Sequence, residues 1–333
     1  PRDWSSDVCS SDLPRPLVEC VPNVSEGRRP AVIDALAMAV TATPGAILLD
    51  RTSDPDHHRS VLTFAGGPGP VVAAMETVVA GAIERIDMRV HAGAHPRIGA
   101  VDVVPFVPLG TSTMDDCVAL ARSFGARIAD RFDLPVFLYA HAATRPERRV
   151  LADIRRPQVE GLPAMLAAPG GEPDFGPRRA HPTAGAIVVG ARPFLVAWNI
   201  DLDSDDVALA KRIAGRIRER DGGLPRVQAL GLTLPTLGRA QVSMNLLDTA
   251  ATPIWRAWEA VEALAAEAGV RLHSSELIGL IPQAALLAAA DHAGADRGLP
   301  IADRLEAGAR AVGIRDFRPD RVLELRLAAA SGR

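Results

Sequence analysis

From Leu17 onward the apolar residues alternate between two spacings in an order that recurs, and this recurrence admits very few folds. A β-rich run at 17–21 precedes a helix that starts at Pro30 and carries Val32, Ile33, Leu36 and Val40 on one stripe. Pro44 and Gly45 end it; strands at 46–50 and 61–65, a helix at 71–86 and a strand at 101–107 follow. The same order returns at 194–200, 204–220, 227–234, 240–247, 253–268 and 270–273. The spacing predicts an α+β chain of two ferredoxin-like β-α-β-β-α-β subdomains, products of a duplication. Between them come a further helix at 114–130, a strand at 135–139 and a Pro/Gly-rich stretch at 163–182 that reads as a linker. The expected division is 15–190 and 191–333.

Residues 1–14 stand outside this pattern: the Ser/Asp-rich start lacks the cationic and apolar regions of a signal peptide and resembles a translated sequencing adapter. It is set aside as a non-native or disordered leader, with the fold starting near Arg15.

Composition narrows the function classes. No apolar run approaches the roughly 18 residues of a membrane span, so no membrane partner is expected. A net charge of -3 gives no global basic field, and a single tyrosine with eight phenylalanines offers little base stacking, so nucleic acid is not expected either. The three cysteines, Cys9, Cys20 and Cys117, are widely spaced and odd in number, which suits a reducing cytoplasm.

The densest chemistry lies at 91–102, HAGAHPRIGAVD, where two imidazoles, a guanidinium and a carboxylate share a loop entering a strand. The spacing of His91 and His95 invites a zinc reading, but Gly93 and Pro96 oppose a helix there, and no metal is expected. Packed structural histidines are the plain alternative. Asn23 and Ser25 precede the first helix either as caps or as part of an anion-receiving turn. Asp50 and Arg59 flank a charged turn; Arg59 is a candidate for a substrate carboxylate, and adjacent His57 and His58 should diverge if strand geometry reaches them. Gln241, Ser243 and Asn245 alternate on one strand face, which is either solvated or a ligand wall.

Taken together, CVPNVSEG at 20–27, HPRIGAVDVVPF at 95–106, PDFGP at 173–177 and AQVSMNLLD at 240–248 resemble the formiminotransferase family, collinearly from about Leu17 to Leu327. The resemblance implies facing sheets with a ligand groove between the subdomains, a homodimer, and transfer of a formimino group from N-formimino-L-glutamate to N5 of tetrahydrofolate as co-substrate. It also implies that His95 is the catalytic base and that 176–185, with Gly176, Pro177, His181, Thr183 and Gly185, is the folate-contacting loop. Asn23, Ser25, Asp50, Arg59, Arg97, Gly99, Asp102, Gln241 and Asn245 complete the expected set of substrate and folate contacts. Arg178, Arg179, His181 and Pro182 depart from the animal pattern, and His58 stands where the family commonly has Asn. Two other functions stay open: formyl exchange between glutamate and 5-formyltetrahydrofolate, and folate binding without catalysis. The sequence runs to residue 333 without a cyclodeaminase half, so any cyclisation of the product is expected of a separate protein.

Overall fold

The computed structural model describes residues 16–55, 57–93, 96–234 and 238–330. The leader, Arg15 and His95 lie outside the described residues. Contacts divide the chain into two compact units, Leu13–Arg192 and Pro193–Arg333.

In the first unit the opening strand is split into β1 (Pro16–Cys20) and β2 (Asn23–Val24). Pro22 has no N–H for the ladder, which accounts for the break, although its carbonyl still accepts from Leu62. Helix α1 (Pro30–Thr41), strands β3 (Ala46–Asp54) and β4 (Arg59–Gly66), helix α2 (Pro68–Arg85) and strand β5 (Val101–Gly110) complete the expected order. β1 and β2 pair antiparallel with β4 on one side and β5 on the other, while β3 lies outside β4. Beyond β5 the sheet continues with parallel β7 (Ile187–Ala191) and β6 (Val136–Ala140).

One face of this sheet is covered by α1, α2 and α3 (Met114–Phe132). α2 buries Val71, Val72, Met75, Val78 and Val79, each worth about 1.5–3 kcal/mol of apolar transfer. The other face carries a smaller apolar cluster of Ile98, Phe137 and Val188 under α4 (Leu151–Arg155) and α5 (Gln158–Ala167).

The stretch at 163–182 is not a linker between the units. Pro163 lies inside α5 and withholds one N–H from it, while Leu162 and Leu166 are buried and keep the helix docked. Further on, Asp174 accepts from Leu138 N and Arg148 Nη1, which fixes the following turn to β6. Its many Gly and Pro residues serve ordered turns inside the first unit.

The second unit runs β8 (Val196–Leu202), α6 (Val207–Ile217), β9 (Val227–Leu234), β10 (Arg239–Leu246), α7 (Ile254–Ala266) and β11 (Leu272–Ile278). Its sheet is antiparallel throughout, in the order β11-β8-β10-β9. Val242, Met244 and Leu246 point into an apolar core with Ile213 and Val261. β11 starts at Leu272, later than expected, and bulges against β8 before Ser274. Three helices, α8 (Gln283–His292), α9 (Ile301–Ala311) and α10 (Leu323–Ala330), follow without having been anticipated from the sequence. The α+β class and the repeated element order are as expected.

Candidate active site

A shallow hollow opens in the first unit where three segments distant in sequence meet. Ser25, just past β2, supplies one wall, the turn between β3 and β4 brings His57, His58 and Arg59, and the approach to β5 brings His91, Arg97 and Asp102. The turn is not strand-like: His58 has φ 51, so His57 and His58 both line the hollow instead of diverging. A Cβ on Gly93 would stand 2.4 Å from the carbonyl oxygen of His57, so only glycine lets this loop rest on the turn.

The seam between loop and turn is densely bonded. The rings of His58 and His91 stack with centroids 4.2 Å apart. His58 Nδ1 faces the carbonyl of Ala92 at 3.0 Å, and its Nε2 faces Glu26 Oε1 at 3.1 Å. In return, His91 Nε2 lies 3.0 Å from the carbonyl of His58, and its Nδ1 receives Arg97 Nε–H at 3.1 Å. Those partners put the ring proton of a neutral His91 on Nε2. Burial is the largest influence on His91 and lowers its pKa; the His58 carbonyl opposes this, and the charges of His58 and Arg97 reinforce it.

Glu26 is buried, which by itself raises its pKa, yet the backbone N–H groups of Arg28 and Arg29 and the Arg29 guanidinium outweigh burial and hold it below the ordinary value. It is therefore an ionised anchor under His58.

Arg97 is buried and makes five hydrogen bonds within the protein: to His91 Nδ1, the His91 carbonyl, Gln158 and both oxygens of Glu160. A guanidinium has five N–H groups, so this arrangement leaves none for a ligand carboxylate. Arg97, expected to grip substrate, ties the loop to α5 in this structure.

Asp102 sits 2 % exposed on β5, where Oδ1 accepts from Ile98 N at 2.9 Å. Its Oδ2 contacts Arg155 Nη2 from the end of α4 as an ion pair that lacks hydrogen-bond alignment. Arg59 lies beside this pair. Burial lowers its pKa most and the Arg155 charge adds to that, while Asp102 and Asp54 pull the other way. The result is a corner that gathers two guanidinium groups and the buried Asp102 carboxylate.

Of the other expected residues, Ser25 donates from Oγ to the Gly99 carbonyl at 2.7 Å. Gly99 in turn bridges Gly185, and a Cβ on Gly99 would lie 1.8 Å from Ala186 O. Asn23 pairs with β4 and β5, and Asp50 lies on β3 opposite Thr63; neither borders the hollow. His181 Nδ1 accepts from Thr183 N and Ala184 N, closing a tight loop between His181 and Gly185, and the Thr183 carbonyl accepts from Met88 N. Gly176, at φ 85, and Pro177 belong to the turn that follows Phe175. Gln241 and Asn245 belong to the second unit; Gln241 is buried there and donates to Asp201 Oδ1, and Asn245 lies opposite Ala197 and Gln228.

Glu26, Gln158, Glu160 and Arg155 were not anticipated as site residues. Glu26 stood inside a quoted motif, whereas the other three lie on α4 and α5, helices the sequence pattern had hidden. Among the described residues, no group of three or more His, Cys, Asp or Glu side chains could hold a metal ion.

Comparison with known proteins places two patterns on the chain. "Formiminotransferase domain, N-terminal subdomain" matches residues 17–192, and "Formiminotransferase domain" matches residues 197–310. A Streptococcus pyogenes protein named glutamate formimidoyltransferase is 43% identical over 83% of this chain and 92% of its own length. One of the same name from Thermoplasma acidophilum is 44% identical over 81% of this chain and 90% of its own. The Rattus norvegicus formimidoyltransferase-cyclodeaminase is 44% identical over 82% of this chain, which spans 52% of that longer protein.

Proposed function

Because the chain belongs to the formiminotransferase family, we propose that it transfers the formimino group of N-formimino-L-glutamate to N5 of tetrahydrofolate, giving 5-formiminotetrahydrofolate and glutamate. The observation that carries this reading is the hollow lined by Arg59, Arg97 and the buried Asp102, residues that include the arginine of the HPR motif. Such a corner suits a donor whose amidine and α-carboxylate are carried on the same carbon.

Attack of N5 on the amidine carbon forms one C–N bond and later breaks another. The attacking nitrogen must lose a proton and the departing glutamate nitrogen must gain one. We assign both transfers to His95, since an imidazole titrating near pH 6.5 takes and returns protons at neutral pH. His91 and Arg97, on either side of it in sequence, are bonded to each other. Asn23, the 176–185 loop, Gln241 and Asn245 remain our candidates for folate contacts, and Asp50 for the donor.

The reading extends to a homodimer acting on dissolved small molecules in the cytoplasm, without nucleic acid or membrane. Its support is the family match; no helix among the described residues is long and apolar enough to cross a membrane. The test is to incubate purified protein with tetrahydrofolate and either N-formimino- or N-formyl-L-glutamate. Formation of 5-formiminotetrahydrofolate from the first donor is the expected outcome. Folate binding with no transfer from either donor would refute the proposal.

A further inference from the structure

The contact between Asp102 and Arg155 has the form of a site waiting for a ligand. Three buried polar atoms, Asp102 Oδ2 and Arg155 Nε and Nη2, lack a hydrogen-bond partner although the two groups touch as an ion pair. Buried polar groups are nearly always bonded, and leaving one unbonded costs more than a hydrogen bond gains. Here three occur in one pair, and Asp102 borders the hollow. Neither side chain is loose: Asp102 is fixed through Oδ1 to Ile98 N, and the Arg155 side chain is 13% exposed at the end of α4. The misaligned atoms are therefore held in place, with charges of opposite sign side by side.

We propose that Asp102 and Arg155 are the recognition pair for the head of the donor, with Asp102 Oδ2 taking the protonated formimino group and Arg155 the α-carboxylate. This inference rests on the formimino-transfer reading above. In N-formimino-L-glutamate the amidine nitrogen and the carboxylate are attached to the same carbon, so its cation and anion lie about as close together as the two protein groups. When ligand binds, each protein charge exchanges its misaligned internal partner for an aligned external one, and a bidentate guanidinium–carboxylate contact becomes available. Arg59, next to the pair, adds a second guanidinium to the anionic side. The pair also selects chemistry. A formimino group is cationic at neutral pH and gains from Asp102, whereas a formyl amide is neutral and does not.

The test uses the full-length protein and titrates N-formimino-L-glutamate, and separately N-formyl-L-glutamate, by calorimetry into wild type, Arg155→Gln, Arg155→Lys and Asp102→Asn. Thermal melts of each variant serve as controls. Loss of a charge-assisted contact corresponds to roughly tenfold or more in affinity. Arg155→Gln should weaken both ligands by about that factor, with partial recovery in Arg155→Lys. Asp102→Asn should weaken the formimino ligand about tenfold more than the formyl ligand. A folded Arg155→Gln variant within twofold of wild type overturns the inference, as does equal weakening of the two ligands by Asp102→Asn. If Arg155→Gln does not fold, Arg155→Lys and Asp102→Asn decide the matter by the same criteria. Ligand binding that follows these expectations in a wild-type protein that transfers nothing to tetrahydrofolate would refute the function while leaving the recognition pair standing.

Discussion

At the residue scale, the proposed chemistry and its support separate cleanly. Replacing His95 with alanine removes the proposed proton carrier, so turnover should fall by about 10²–10⁴ with folate affinity nearly unchanged. Steady-state kinetics beside a folate titration check this, and comparable turnover would take His95 out of the mechanism. Arg97→Ala acts differently, because five internal hydrogen bonds vanish and His91 loses the donor that fixes its tautomer. We expect a stability loss of roughly 3 kcal/mol and a fall in kcat larger than any rise in KM. Arg97→Lys should recover little, since an ammonium cannot span His91 and Glu160 as a planar fork does. Urea melts and kinetics measured together distinguish this from a substrate clamp, which would raise KM alone. Much of this site was legible in the sequence because Ser25, Arg59, Arg97 and Asp102 fall in or beside compact motifs. Arg155 and Glu160 were not, since a charged residue on an unrecognised helix gives no sign of where its side chain will reach.

At the element scale, the core order could be read because apolar spacing changes from period two to period 3.6 at each junction. α1 and α2 each begin at a proline, a strong local start signal. Where the signal failed, the reason is local: the prolines around α5 imitate a linker, and the Ala-rich runs of α8 and α10 carry little contrast between faces. These late helices do hold a titratable joint. Glu324 on α10 is 1 % exposed and accepts from Gln283 N at the start of α8, while its other oxygen has no partner. Burial raises its pKa to about 6, with the Gln283 N–H pulling it down. A carboxyl whose folded pKa lies above its unfolded one is destabilising when ionised, so this contribution worsens as pH climbs from about 4.5 to 6 and is constant above. Glu324→Gln should therefore gain up to about 2 kcal/mol at pH 7.5 and nothing at pH 4. Urea midpoints at the two pH values measure it; an equal effect at both would contradict the buried charge.

At the scale of the whole molecule, the pH balance runs opposite to Glu324. Glu26 and several surface carboxylates are held below their ordinary pKa values, and His91 and His181 are lowered chiefly by burial. For every one of these groups the unfolded chain binds more protons, so stability rises with pH, through the acid range for the carboxylates and up to about 6.5 for the histidines. The carboxylates and histidines outnumber the single opposing glutamate. Net stability should grow from pH 4 to pH 7, and a flat profile in denaturant titrations would contradict that balance.

The way Gly93 rests against the His57 carbonyl, with two imidazoles stacked above Glu26, has a consequence for anyone grafting segments between relatives. The stretches at 57–59 and 91–97 behave as one exchangeable part, although more than thirty positions separate them. A donor turn imported without its matching loop would leave His91 facing the wrong neighbour across the stacked seam. The two pieces have to be transplanted together.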